Sequence, residues 1–357
     1  KRQVVGFLEN DYVADLQDSG ETIDSLETIV VLRGDTPDGT VSFAEFLQRS
    51  TDESLKEMRV RSAQVVGSDL GLIMFTSGTT GAPKGVMVEQ GPIIKGFSHY
   101  ARELGMRQGD RMLIVNPFFH AFGFNGAINP CFMHGATMLP HPVFDIESVL
   151  ERIEQDKVTV FPGPPAIFQS LINYKNLDQF DTSSLRSAVT GAASIPVETV
   201  EDMTELLVFS TVVTAYGMTE THGLVTICAA DDPPEIVAST SGKALPGLEI
   251  KLVDDNNQEV PEGSPGELLV RGYAVMRGYL DEPEQTAETI DSEGWMRTGD
   301  ICVMDAAGYI DITDRKKDMF INGGFNAYPA EIENTMPVSY THLRAHETVL
   351  DLVCRLL

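Results

Sequence analysis

Positive charge is scarce in this chain of 357 residues. Lysine and arginine together number 26 against 53 aspartates and glutamates, a net charge of −27. Such a surface repels a phosphate backbone, which argues against a nucleic-acid partner. It favours solubility, and it requires that any anionic ligand be held by local positive charge or backbone amides. Cysteine is scarce as well. Cys131, Cys228, Cys302 and Cys354 lie far apart with no CxxC pair. That spacing offers neither a zinc site nor a disulfide framework, and free buried thiols suit a reducing, cytoplasmic setting. A long apolar run is missing too: the most apolar stretch, Met112 to Pro140, is broken by Asn116, His120, Asn125, Asn129 and His134, so it cannot span a bilayer. The opening KRQVVGFLENDYVADL carries charge and no small-residue cleavage site, so no signal peptide is expected. No internal repeat or low-complexity tract is visible, and nothing fixes an oligomeric state.

What is present is an ordinary globular composition, 42% hydrophobic and 22% charged, in a chain long enough for about two domains. From Leu70 to Gly217 the pattern alternates. LGLIMF (70–75), MLIV (112–115), ATML (136–139), VTVF (158–161), LRSAVT (185–190) and VVTAYG (212–217) predict strands. Between them, Ile93, Ile94, Phe97, Tyr100, Ala101 and Leu104 recur at helical spacing, as do Val149, Leu150 and Ile153, and a further helix is predicted near 197–207. Strands alternating with helices predict parallel-rich sheets covered by helices, an α/β fold. After about residue 240, Leu248, Ile250 and Leu252 alternate, DDNNQEVPEGSPG supplies turns and ELLVRG follows. That is a hairpin signal and predicts a smaller β-subdomain.

The segment richest in chemistry is FTSGTTGAPKG, Phe75 to Gly85. Gly78 and Gly81 let successive N–H groups turn toward an anion. Thr76, Ser77, Thr79 and Thr80 add hydroxyls, and Lys84 adds a point charge for phosphate. It is not the common phosphate loop, because Ala82 and Pro83 separate Gly81 from Lys84. A Gly/Thr-rich loop by itself is equally a surface turn.

This string resembles the phosphate loop of the adenylate-forming superfamily, which includes acyl-CoA synthetases, aryl-CoA ligases, luciferases and peptide-synthetase adenylation domains. Further segments follow in the family's order. NPFFHAFG (116–123) resembles its aromatic-histidine segment, which implies that His120 lies beside the acyl carboxylate and the entry of the thiol tunnel. VTGAAS (189–194) resembles the turn against adenine, at Gly191, Ala192 and Ala193. TAYGMTET (214–221) resembles the adenine and magnesium segment. It implies that Tyr216 stacks on the purine beside Gly217, that Thr219 bonds the α-phosphate and that Glu220 holds Mg²⁺. GWMRTGDI (294–301) implies that Asp300 accepts both ribose hydroxyls. ITDRKKDMFINGGFNAYPAEIE (312–333) implies that Arg315 contacts ribose and phosphate, that Lys317 is the hinge, and that Gly323 and Gly324 let the backbone approach pantetheine. Taken singly, a lone histidine, a lone glutamate or a basic run is equally a core or solvated residue; the ordered series is what carries the resemblance.

The resemblance implies an enzyme that uses Mg-ATP to convert a carboxylic acid to an acyl-AMP and then passes the acyl group to CoA. Lys84, His120, Thr219, Glu220 and Lys317 are its expected catalytic residues. An adenylation domain loading a carrier-protein thiol, or a nucleotide-binding module without turnover, remains the alternative. FNAYPAEIE, PGPPAIFQSL and VTGAASIP are most similar to bacterial fatty-acyl-CoA synthetases, in particular the branch activating an indanedione propionate from steroid ring degradation. The acyl substrate itself is not spelled by any spacing. The expected organisation is a large domain over 1–313, shortened at its N-terminus, a hinge at 314–318, the start of a small α+β C-terminal domain at 319–336, and a non-native tail at 337–357. The family's late lysine is absent, since Lys317 is the last lysine; impaired turnover is therefore expected of the chain as written.

Overall fold

Apolar strand runs and amphipathic helices build the larger of two compact units, Lys1–Val66 and Gly67–Leu357. The computed structural model describes residues 11–18, 23–76, 83–191, 195–315, 320–322 and 325–327. The resemblance implies a large domain over 1–313, shortened at its N-terminus, and the start of a small domain at 319–336. The hinge proposed at 314–318 lies partly, and the tail at 337–357 wholly, outside the described residues.

In the smaller unit, α1 (Tyr12–Asp18) precedes two short parallel strands, β1 (Ile29–Val31) and β2 (Thr40–Ser42). Helix α2 (Phe43–Gln48) begins where the Ser42 hydroxyl accepts the Glu45 amide at 3.2 Å. Helix α3 (Asp52–Gln64) opens on a reciprocal capping box between Thr51 and Ser54, which satisfies two amides that the first turn leaves unpaired.

The larger unit begins with a hairpin, β3 (Leu70–Thr76) against β4 (Lys84–Glu89), in antiparallel register. Strand β4 was not anticipated. KGVMVE is short, but it buries Val86 and Val88 two residues apart, the period of a half-buried strand. The Gly/Thr-rich loop therefore joins two strands rather than a strand and a helix. Helix α4 (Gln90–Glu103) follows and buries Ile93, Gly96, Phe97, Tyr100 and Ala101 along one face, as the 3.6-residue period requires.

Then come β5 (Arg111–Ile114), a single turn α5 (Ala121–Gly123), a π-helical stretch at Phe124–Ile128, and α6 (Asn129–His134). Alternation continues through β6 (Thr137–Pro140), α7 (Ile146–Asp156), β7 (Val160–Pro162), α8 (Pro165–Ile172), β8 (Ser187–Gly191), α9 (Val197–Glu205) and β9 (Thr211–Tyr216). Short β10 (Thr226–Ile227), α10 (Pro234–Ser239) and β11 (Lys243–Ala244) close this part.

These strands form one seven-stranded sheet in the order β11-β10-β9-β8-β7-β5-β6. The pairs from β6 to β9 are parallel and those of β10 are antiparallel. Helices cover it: Phe168 of α8 packs edge-on against Phe161 of β7 at 5.4 Å and against Phe209 at 6.0 Å. Each such fully buried side chain contributes roughly 1.5–3 kcal/mol over its exposed state.

The predicted β-subdomain is a four-stranded antiparallel sheet of β12 (Leu248–Val253), β13 (Gly266–Gly272), β14 (Met296–Met304) and β15 (Ile310–Arg315), with α11 (Pro283–Thr289) inserted. Beyond it β16 (Phe320–Asn322) pairs with β17 (Phe325–Ala327). Among the described residues no helix is long and apolar enough to cross a membrane, and Cys131, Cys228 and Cys302 are free and buried.

Candidate active site

The β3–β4 hairpin sets Thr76 directly opposite Lys84. Ser77, Gly78, Thr79, Thr80 and Gly81 lie outside the described residues. From the first position of β4, the Lys84 ammonium sits over the ring of Tyr279, with Nζ 4.8 Å from the centroid, within cation–π range. The segment bearing Tyr279 is stitched to β4 as a further strand would be. Val86 bridges Tyr279 in antiparallel fashion, the Met87 amide donates to Gly278 O at 3.0 Å, and the Leu280 amide donates to Gly85 O at 2.8 Å.

Tyr279 meets a second predicted site residue. Its phenol donates to Glu220 Oε1 at 3.0 Å. Burial and the neighbouring Glu220 charge raise the phenol pKa well above its ordinary value, so it stays a donor. Glu220 lies in a 3-10 turn, Thr219–Thr221, that follows β9. The Thr221 hydroxyl accepts the Met218 amide at 3.0 Å, and Glu220 O accepts the Met276 amide at 2.8 Å.

His222 ends the turn in the left-handed region, φ 58°. The Glu89 amide donates to its Nε2 at 3.0 Å, so the ring proton sits on Nδ1, 2.6 Å from the Ala274 carbonyl. Asn125 Nδ2 holds the His222 carbonyl at 2.9 Å. Burial lowers the His222 pKa, which agrees with this neutral tautomer. The acidic turn is thereby tied to the end of β4, to the π-helical stretch and to the Ala274 segment.

Glu220 is 8% exposed and forms no ion pair among the described residues. A buried carboxylate that accepts from a neutral phenol and has no ion pair among the described residues is suited to a cation. Among the described residues no group of three acidic, histidine or cysteine side chains is placed to hold a metal ion. One carboxylate fits Mg²⁺ that takes its other ligands from phosphate and water, and does not fit an all-protein cage.

A second pairing lies at the end of β9. The Tyr216 phenol donates to Asp300 Oδ2 at 2.5 Å. Burial, then the Asp300 charge, push the phenol pKa far above its ordinary value. Asp300 is 8% exposed on β14 and faces Arg315 of β15 across the ladder. Gly191 and Gly217 have backbone reasons of their own. A Cβ on Gly191 would stand 2.5 Å from Ala215 O, and one on Gly217 would enter the backbone of Gly223 and Leu224. Their small size is therefore already demanded by the fold. Gly217→Ala is expected to cost about 1–3 kcal/mol through overpacking; thermal denaturation checks it, and an unchanged midpoint would show that the turn can yield.

Gly191 and Tyr216 end neighbouring parallel strands, β8 and β9, and the 116–123 segment leaves β5 at the same edge. Ligands of open parallel sheets bind outside the carboxyl ends of the strands. Asn116 Nδ2 donates to Pro162 O at the end of β7 at 3.2 Å. His120 caps α5, its Nδ1 accepting the Phe122 amide at 3.2 Å, with its ring exposed and its pKa lowered by the surrounding protein.

Two groupings thus emerge, Lys84–Tyr279–Glu220 and Tyr216–Asp300 with Arg315 in register. Among the described residues His120 shows no hydrogen bond to either. Ala192, Ala193, Lys317, Gly323 and Gly324 lie outside the described residues. Tyr279 and His222 were not singled out from the sequence. Tyr279 sits 59 positions from the carboxylate it bonds, and no local spacing encodes such a contact.

Residues 6–280 match the family described as AMP-binding enzyme. A Rhodococcus jostii protein, the 3-[(3aS,4S,7aS)-7a-methyl-1,5-dioxo-octahydro-1H-inden-4-yl]propanoyl:CoA ligase, is 44% identical over 334 residues, 92% of this chain and 62% of that protein. The chain thus spans less than two thirds of that relative. Among solved structures, the anthranilate CoA ligase AuaEII in complex with anthranoyl-AMP superposes with a TM-score of 0.77 at 28% identity, covering 87% of this chain and 58% of the other. The O-succinylbenzoate coenzyme A synthetase of Bacillus subtilis, with ATP and magnesium ion, gives 0.69 at 29% identity, covering 83% and 59%.

Proposed function

The chain belongs to the AMP-binding enzyme family, and from that premise we propose that it is the larger part of an ATP-dependent acyl-CoA ligase. The observation that carries this reading is the convergence of Lys84 and Glu220 on one tyrosine, next to a turn that leaves the carboxyl end of β9, the strand that brings Tyr216 to Asp300. A cation and a buried acid supply the two charges that a polyphosphate with its metal requires. An acidic acceptor further along suits a ribose.

In the proposed reaction a carboxylate oxygen of the acid attacks the α-phosphorus of ATP, and the bond to pyrophosphate breaks. The CoA thiol, losing its proton, then attacks the acyl carbonyl, and AMP leaves. Mg²⁺, when bound, screens phosphate charge. Lys84 orients the phosphates and meets the charge that develops on them. Glu220 and Thr219 sit on the turn beside them. Tyr216 and Asp300 fix the nucleoside, so that the reacting atoms meet in one geometry. His120 is proposed to serve the acyl carboxylate and the thiol, and Lys317 to act as the hinge between half-reactions. A role toward the pantetheine arm is proposed for Gly323 and Gly324.

For the acid we propose a propanoate on a fused bicyclic dione, as the name of the Rhodococcus relative supports. The test is calorimetry with Mg-ATP on this chain, together with pyrophosphate release across a panel of acids by a version completed with a related C-terminal domain. Binding of ATP that weakens on chelation of magnesium is expected, with bulky polycyclic propanoates preferred to amino acids. Absence of ATP binding by a folded sample overturns the ligase reading. Turnover of amino acids alone would favour loading of a carrier protein.

A further inference from the structure

Lys84 and Glu220 carry opposite charges beside one residue, yet they form no ion pair with each other among the described residues. A direct pair in this partly buried place would be favourable, and it would bind each charge to the other instead of to a ligand. Tyr279 contacts both. Its ring face, the negative side of the quadrupole, takes the ammonium at 4.8 Å, and its phenol proton takes the carboxylate at 3.0 Å. One side chain thus satisfies a cation and an anion with two different parts of itself. The ring is fixed: Tyr279 is 7% exposed, its amide donates to Thr286 Oγ1 at 2.9 Å, and its backbone is bridged to Val86.

We propose that Tyr279 is a positioning residue that holds Lys84 and Glu220 apart and in register, so that phosphate and its metal do not have to break an ion pair on entering. The spacing role stands on the contacts alone; its consequence for nucleotide rests on the function proposed above. Tyr279→Phe keeps the ring face and removes the tether. Glu220 is then free to swing onto the ammonium.

The primary measurement needs no nucleotide. Lys84 is labelled with a pulse of acetic anhydride in the folded chain, and the extent is read by mass spectrometry. An amine held protonated in an ion pair is a poor nucleophile, so Tyr279→Phe should label several-fold more slowly. Adding Glu220→Gln to that variant should restore the parent rate. ATP binding without magnesium, read by calorimetry, should weaken several-fold in Tyr279→Phe and recover in the double variant. Labelling of Tyr279→Phe at the parent rate overturns the proposal, and so does slowing that Glu220→Gln fails to reverse, which would assign the tyrosine a merely structural role. If the parent binds no ATP, the ligase reading falls, while the labelling still decides the role of Tyr279.

Discussion

Asp110→Ala is expected to destabilise the larger unit by about 3–5 kcal/mol, because it strands a guanidinium in a largely buried site. Asp110 is 2% exposed and accepts three bonds, from Arg186 Nη2 at 2.7 Å, the Arg107 amide at 2.8 Å and Thr159 Oγ1 at 2.9 Å. Arg186 reaches on to Leu104 O at 3.0 Å and Ser187 Oγ at 2.9 Å. Its carbonyl receives the amides of Ser210 and Thr211 at 2.9 and 3.0 Å. One ion pair therefore joins the end of α4 to the starts of β5, β8 and β9, and through Thr159 to the residue that precedes β7. These are the amino ends of the parallel strands, opposite the edge that carries the candidate site. The loss should appear in chemical denaturation as a lower midpoint with an unchanged slope. Asp110→Asn, which keeps one acceptor and removes the charge, should fall between. A shift below about 1 kcal/mol for Asp110→Ala would mean that water reaches Arg186 and that the pair is not structural.

The parallel layer was legible because its strands are contiguous apolar runs and its helices keep one apolar face. MLIV, ATML, LRSAVT and VVTAYG each overlap a strand of the seven-stranded sheet, and Val149, Leu150 and Ile153 are the residues that α7 buries. VTVF lies two residues early: the strand runs Val160–Pro162, where Pro162 offers no amide to continue the ladder. The hairpin of Leu248–Val253 with Gly266–Gly272 was legible for the same reason, alternation broken by a turn-rich stretch.

Less was legible where pairing is short or distant. Strands β10 and β11 are two residues each, too short to leave a period. Strand β4 needs its partner β3 and the Gly278–Leu280 stretch before its alternation means anything. At the candidate site, the sequence order marked Lys84, Tyr216, Glu220 and Asp300 one at a time. It left silent the contacts that group them. Tyr279 and His222 belong to that silent part, since each acts across segments that only the fold brings together. The glycines teach a different lesson. A small residue at 191 or 217 suggests room for a ligand, but close approach of β9 to β8 and of Gly223 to Gly217 requires it in any case.

Asp300 should show the largest effect on nucleotide binding. A carboxylate that accepts both hydroxyls of a ribose makes charge-assisted bonds worth roughly 1.5–3 kcal/mol each. Its removal in Asp300→Ala is therefore expected to weaken ATP binding about a hundredfold or more, read by calorimetry on folded protein. The 2.5 Å bond from Tyr216 complicates the sign of a second variant. A ribose hydroxyl approaching Oδ2 must share it with the phenol. Tyr216→Phe keeps the ring as a stacking face and removes that competitor, so its affinity should stay within a few-fold of the parent. Asp300→Asn retains one acceptor and turns the other into a donor aimed at the phenol. It should lose about tenfold and also lower thermal stability, because the half-buried Tyr216 phenol donates to it. If Asp300→Ala binds ATP as the parent does, the ribose assignment is wrong. If instead Tyr216→Phe loses as much affinity as Asp300→Ala, the phenol and the carboxylate act as one unit, and the ligand contact belongs to the tyrosine.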